Sequence, residues 1–137
     1  MSELAFFDTN VLIYADDLRF PGKQAIAQAL QHEHYRNETA VVSLQVLQEY
    51  YNAATLKLKV DPEVAQRKVE TLACGRMVRF TEHDVIASIE FHRLNRISFW
   101  DAMIVHAARQ SGASVLYSEG LHHGSILGGV RVVNPFI

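Results

Sequence analysis

Cysteine is nearly absent from the 137 residues. Cys74 stands alone, so no internal disulfide can form, and a reducing cytoplasm is the expected home. That thiol ends a helical pattern and is expected to pack rather than react. No apolar run approaches the roughly 18–20 residues that span a bilayer, so no membrane partner is expected. The N-terminus lacks the basic segment and apolar core of a signal peptide. An excess of positive charge is missing too: 13 Lys and Arg against 15 Asp and Glu leave a formal charge of −2 and a pI near 6.4. That balance argues against a broad phosphate-binding surface. It does not exclude nucleic acid, because a cation held by carboxylates brings its own positive charge to a phosphate, and Arg or Lys can be grouped locally. Repeats, low-complexity tracts and linkers are absent. The length suits one core but not two, so residues 1–137 read as a single domain. Hydrophobic residues make up 49%, which excludes disorder.

What is present is an alternation of short apolar strands and amphipathic helices. Phe6-Phe7-Asp8-Thr9-Asn10-Val11-Leu12-Ile13-Tyr14 opens as a strand, stops at a carboxylate and turns at once into a helix through Val11, Leu12, Tyr14 and Ala15. Pro21-Gly22 begins a second helix, with Ala25, Ile26, Ala29 and Leu30 on one face. Thr39 to Ser43 reads as a buried strand. Leu44 to about Leu58 reads as a helix with Leu44, Leu47, Tyr51 and Ala54 on one face. Asp61-Pro62-Glu63 opens the next helix, which Cys74-Gly75 closes. A strand over Arg76–Phe80 follows. Thr81 to Asp84 has the spacing of a capping box, starting a helix to about Asn95. Another helix runs from Ser98 through Ala108 and ends near Gly112. Val115 to Tyr117 is a strand, Gly120 to Gly129 a Gly- and His-rich loop, and Val130 to Val133 a last strand. Such alternation implies a mostly parallel sheet covered on both faces, a three-layer α/β/α domain.

Most acids have a plain explanation. Glu63 with Arg67 and Glu90 with Arg93 have the spacing of solvated helix-surface pairs. Asp8, Glu49 and Asp101 have no such partner. Asp8 ends a buried strand, where open α/β sheets bind ligands, although the same position serves a helix N-cap. The helical neighbours of Asp101 are Ile97, Ile104, Val105 and Ala108. These put its charge on an apolar face, where an unpaired carboxylate is costly. Ser98 and Asp101 also have capping-box spacing, but that box prefers Glu or Gln. Glu49 has Gln45, Val46, Asn52 and Ala53 around it and no base; an ordinary exposed glutamate would look the same. Ser118-Glu119 repeats the strand-end arrangement of Asp8. Carboxylates gathered at one sheet edge raise each other's pKa unless a cation neutralises them. An all-oxygen set suits Mg²⁺ or Mn²⁺, which polarises a phosphodiester and acidifies a bound water.

Three segments carry a resemblance over essentially the whole chain. Phe6-Phe7-Asp8-Thr9-Asn10-Val11-Leu12-Ile13-Tyr14, Gln45-Val46-Leu47-Gln48-Glu49-Tyr50 and Ser98-Phe99-Trp100-Asp101-Ala102-Met103-Ile104-Val105-His106 resemble PIN-domain ribonucleases, most closely the VapC-type toxins of toxin–antitoxin pairs. The resemblance implies that Asp8, Glu49 and Asp101 ligate Mg²⁺ or Mn²⁺. It implies endonucleolytic hydrolysis of RNA by water, leaving 5′-phosphate and 3′-hydroxyl ends. It further implies an RNA substrate, possible as tRNA or another structured RNA, a cognate antitoxin and a homodimer whose groove accepts an antitoxin segment through a basic side chain. Thr9, Asn10, Ser118 and His122 are candidate substrate contacts. The chain departs from the family's Ser-Glu-Asp at Ser118-Glu119-Gly120, where glycine replaces a fourth acid. Either Glu119 substitutes as a catalytic acid, a water fills the gap, or one metal binds in place of two. A module that keeps the antitoxin partner but has weak or no turnover is therefore the alternative. A phosphatase using Asp8 as nucleophile ranks below both, since Asn10 stands where a second acid is needed. His122 and His123 lack the further His or Cys of a tetrahedral zinc site. Trp100 is expected in the core or at a dimer contact.

Overall fold

The computed structural model describes residues 3–137. Six helices and six strands alternate: β1 (Ala5–Phe7), α1 (Thr9–Tyr14), α2 (Pro21–Arg36), β2 (Ala40–Ser43), α3 (Leu44–Leu56), α4 (Pro62–Leu72), β3 (Arg76–Val78), α5 (Glu82–Asn95), α6 (Phe99–Gln110), β4 (Val115–Tyr117), β5 (Ile126–Leu127) and β6 (Val130–Val133). The strands form one sheet in the order β3-β2-β1-β4-β6-β5, all parallel except the edge strand β5. Helices cover both faces, giving the three-layer α/β/α architecture expected from the alternation.

The chain leaves β1 to build β2 and β3 on one side and later returns to build β4 on the other. That reversal opens a crevice beyond the carboxyl ends of the central strands. The central strand β1 is buried throughout, in keeping with its unbroken apolar sequence: Ala5, Phe6 and Phe7 are at most 2% exposed. Asp8 N–H still donates to Tyr117 O at 3.0 Å and Ser118 N–H to Val133 O at 3.0 Å, so the ladder carries both residues to the sheet edge at one level.

Caps fix the helix starts. Ser43 Oγ accepts from Val46 N, Asp61 from Glu63 N and Ser98 Oγ from Asp101 N, while Thr81 N donates to Asp84 Oδ2. Tyr50, 1% exposed on α3, donates its hydroxyl to Asp16 at 2.6 Å and so ties α3 to the segment after α1.

Several expected faces are rotated. On α3 the buried residues are Val46, Leu47, Tyr50 and Ala54, whereas Leu44 and Tyr51 are exposed. On α2 they are Ala27 and Gln31; Ala25, Ile26 and Ala29 face outward. The polar Gln31 belongs inside because its amide donates to Val11 O at 3.4 Å. Trp100 is 61% exposed, so it is not a core residue; it lies in the first turn of α6, edge-on to Phe99. Cys74 is likewise exposed rather than packed, in the turn beyond α4. The Gly120–Gly129 loop is partly a hairpin. Gly128 and Gly129, with φ of 57° and 84°, adopt the left-handed backbone that joins β5 to β6, as a two-residue Gly-Gly turn requires.

Candidate active site

Asp8 is both the last residue of the β1 ladder and the N-cap of α1, so the two readings of its position hold together. Oδ1 accepts from Thr9 N at 2.7 Å, and Oδ2 accepts from Ser118 Oγ at 2.8 Å. Ser118 is fully buried beneath it and also accepts from Gly120 N. Burial pushes the Asp8 carboxyl up to about 6, against the two hydrogen bonds; the charges of Glu49 and Asp101 push the same way. This buried acid is therefore poised for a cation rather than stably ionised alone.

Glu49 projects from the middle of α3 and is half-buried. Its partners are neutral, as the absence of a nearby base in the sequence implied. Thr9 Oγ1 donates to Oε1 at 2.5 Å and Gln45 Nε2 to Oε2 at 3.2 Å. Gln45 also reaches Trp100 O at 3.4 Å, linking α3 to the start of α6, where Asp101 stands half-buried in the first turn. Thr9 thus connects Asp8 and Glu49: its backbone serves one and its hydroxyl the other.

Asp8, Thr9, Asn10, Glu49 and Asp101 all line one cleft of about 530 Å³. Among the described residues no three His, Cys, Asp or Glu side chains stand close enough to grip one ion together. The donor set nevertheless suits a hard cation that keeps several waters. It consists only of oxygens, and it surrounds a carboxyl whose ionisation is resisted by burial and by its acidic neighbours.

The remaining candidates lie elsewhere. Glu119 is outside the cleft lining; it accepts from Tyr14 OH at 2.7 Å and Lys23 Nζ at 2.6 Å. Burial raises its pKa, but these two bonds outweigh that and hold the carboxyl below its ordinary value. Its backbone N–H donates to Asn10 Oδ1 at 3.1 Å, which fixes Asn10 at the cleft. His122 is exposed, and its carbonyl caps Ser125. His123 Nδ1 accepts from Asn134 N, a structural tie of the loop to the C-terminal segment. Sequence reasoning missed Tyr14 and Lys23 as partners of Glu119, because only tertiary contacts reveal them, whereas Gln45 holds Glu49 at the i, i+4 spacing that the sequence shows.

Gly120 has open space where a fourth acid would stand. A Cβ there would lie 3.6 Å from Asn10 Nδ2, ordinary van der Waals contact, and its backbone is not left-handed. Gly120→Asp is therefore expected to fold normally and to tighten Mn²⁺ binding by about tenfold, read by titration calorimetry. Unchanged affinity would mean that this position does not address the ion.

The comparisons with known proteins define the family and the fold. The PIN domain family model matches residues 5–122, and the chain belongs to the PIN-domain family. Comparison of the sequence with curated proteins gives no match. Among solved structures, the fold is similar to that of a toxin–antitoxin complex from Klebsiella pneumoniae, at a TM-score of 0.66 and 21% identity, covering 96% of this chain and 97% of that one. It is equally similar to DNA-bound VapBC from Salmonella typhimurium, at 0.66 and 19% identity with the same coverage. A third is the Mycobacterium tuberculosis toxin VapC20, which cleaves the sarcin–ricin loop. There the TM-score is 0.60 and the identity 18%, over 83% of this chain and 88% of that one.

Proposed function

We propose that this PIN-domain protein is a metal-dependent RNA endonuclease and the toxin of a toxin–antitoxin pair. The observation that carries the proposal is one cleft lined by Asp8, Glu49 and Asp101, in which burial and neighbouring charge hold the Asp8 carboxyl near 6. In this reading Asp8, Glu49 and Asp101 hold Mg²⁺ or Mn²⁺. The chemistry such an ion supplies is neutralisation of the carboxylates, polarisation of the phosphodiester and acidification of a water near neutral pH. Ser118 and the Thr9 backbone orient Asp8. The Thr9 hydroxyl and Gln45 orient Glu49. Asn10 is available at the cleft to position the phosphate, with its side chain steadied by Glu119 N. Water attacks, and the 5′-phosphate and 3′-hydroxyl ends follow from cleavage on the 3′-oxygen side. Glu119 serves as a positioning group rather than a fourth ligand, since Tyr14 and Lys23 already hold it.

The antitoxin is proposed to lay a segment along the cleft, with a basic side chain meeting the carboxylates. An adjoining groove on α3 and α4, lined by Leu47, Tyr51 and Val69, offers apolar contact for it. A homodimer and a cytoplasmic setting belong to the same reading. The partner-binding module with little turnover is the second reading. It is favoured by Gly120 and by the engagement of the Glu119 carboxylate with Tyr14 and Lys23.

The experiment is cleavage of total cellular RNA by the antitoxin-free protein, with Mg²⁺ or Mn²⁺ and with EDTA. Discrete fragments that need the metal are expected. A folded protein that neither cuts RNA nor binds Mn²⁺ would establish the second reading instead.

A further inference from the structure

The cleft holds cations as well as acids: Arg19 and Lys57 line it together with Asp8, Glu49 and Asp101. A strand of RNA entering a cleft lined by Asp8, Asp17, Glu49 and Asp101 meets repulsion, and the chain as a whole is acidic. A metal ion would serve the scissile phosphate; for the phosphates on either side of the cut, a cation of the chain itself can offset that field.

Arg19 is built for this. Its side chain is 68% exposed, yet its guanidinium is fixed in place by Asp17, whose side chain is 3% exposed. Arg19 Nε donates to Asp17 Oδ1 at 2.9 Å and Nη2 to Oδ2 at 2.9 Å, while the Arg19 backbone N–H closes the turn onto Oδ1 at 3.1 Å. The arginine's charge-assisted bonds hold the Asp17 carboxyl below its ordinary pKa, so the pair stays ionised. The Arg19 guanidinium also stands 5.5 Å from the centroid of the Phe20 ring, which lines the same cleft. An arginine engaged through Nε and one terminal nitrogen keeps its other edge, the two terminal nitrogens, free for a second oxyanion. Asp17 and Phe20 thus remove most of the entropy that an exposed arginine loses on binding. Lys57, also lining the cleft, is a flexible point charge and needs no such support.

We infer that Arg19, buttressed by Asp17, binds a backbone phosphate of the RNA strand at a position beside the scissile one and so sets how the strand lies across the carboxylates. The inference rests on the nuclease reading above and names a specific anchor for that substrate. A loop staple between Asp17 and Arg19 explains the ion pair, but it does not explain why the exposed arginine lines the cleft.

The test measures binding of a labelled single-stranded oligoribonucleotide to the full chain carrying Asp8→Asn, in EDTA, so that neither cleavage nor a bound cation contributes. Adding Arg19→Ala is expected to weaken binding by about tenfold and to lower the slope of log affinity against log salt by about 0.7, the value for one single-strand phosphate contact. Asp17→Asn together with Arg19→Ala, which leaves no shielded carboxylate unpaired, should show the same loss. Arg19→Lys should keep the salt slope while recovering only part of the affinity, because a lysine has no fork. Asp17→Asn alone should weaken binding with the slope unchanged, since the charge remains and only its support is lost. If the parent binds RNA and the folded Arg19→Ala proteins bind equally well with the same slope, Arg19 is only a loop staple and the inference fails while the nuclease reading stands. If the parent does not bind RNA at all, the inference fails, and the metal-dependent cleavage assay alone decides the nuclease reading.

Discussion

Asp8→Asn is expected to abolish metal-dependent RNA cleavage, lowering the rate by about a thousandfold, or ~4 kcal/mol of transition-state stabilisation. The change removes a negative charge from the buried centre of the cleft. It keeps the shape: Thr9 N retains an oxygen to donate to, and the Ser118 hydroxyl, which now meets an amide nitrogen, can turn to accept from it. The loss should therefore come without unfolding, and Mn²⁺ affinity should fall with the rate. The same carboxyl makes the wild-type affinity pH-dependent. Below about pH 6, where Asp8 is protonated, protons compete with the ion, and affinity should drop by about tenfold per unit for one proton released. Full cleavage by Asp8→Asn would remove Asp8 from the reaction and with it the metal site proposed here.

The second large effect is on stability, and it has the opposite sign. An unperturbed aspartate titrates at 3.8, and burial raises Asp8 to about 6 in the fold. Between those values the unfolded chain has released the proton and the folded chain retains it. Stability from this group is thus fully present below pH 3.8 and is lost as pH rises through about 6. A shift of roughly two units corresponds to about 3 kcal/mol, spent on keeping a charge in the cleft. In EDTA at pH 7.5, Asp8→Asn should be more stable than wild type by about 2–3 kcal/mol, and the difference should vanish near pH 4. Urea unfolding at several pH values reads this directly. Taking the difference between the two proteins isolates Asp8 from groups such as Asp84, whose hydrogen bonds from Thr81 and His106 lower its pKa. Saturating Mn²⁺ should raise wild-type stability and leave the variant nearly unchanged. Equal stability at pH 7.5 would mean that Asp8 is not ionised against its environment. A protein that gains stability on losing a site residue is in keeping with the strain that functional sites carry.

The local signals in the sequence were strong wherever the chain makes contact with itself over a few residues. Period, caps and turn residues placed eleven of the twelve elements, because those are set by neighbouring side chains and backbone. Asp8 stood out because a carboxylate following Ala5-Phe6-Phe7 is an abrupt change in polarity. Asp101 stood out because its neighbours at helical spacing are apolar. The resemblance in three segments tied these to Glu49, whose own surroundings on α3 said little. The β5 strand was missed although Gly128-Gly129 signals a hairpin, since two-residue strands are shorter than any periodic pattern can report.

What only the tertiary structure decided follows from the sheet order. β4 returns to lie beside β1, which brings Ser118 under Asp8 across a separation of 110 residues, while the pairing of β1 with β2 packs α1 on α3 and puts Thr9 against Glu49 across 40. The apolar stripes of α2 and α3 could not be assigned because both helices carry apolar residues on more than one face. Packing against the sheet and α1 selected Ala27, Gln31, Val46 and Tyr50. Glu119 looked like a stand-in for the missing acid at Gly120. The fold gave it Tyr14 and Lys23, partners 105 and 96 residues away that no local pattern could announce. The sequence by itself determined the elements, the family and the acids, because these are properties of short segments. The tertiary structure decided which of those acids face one cleft, because that depends on the order in which the strands pair.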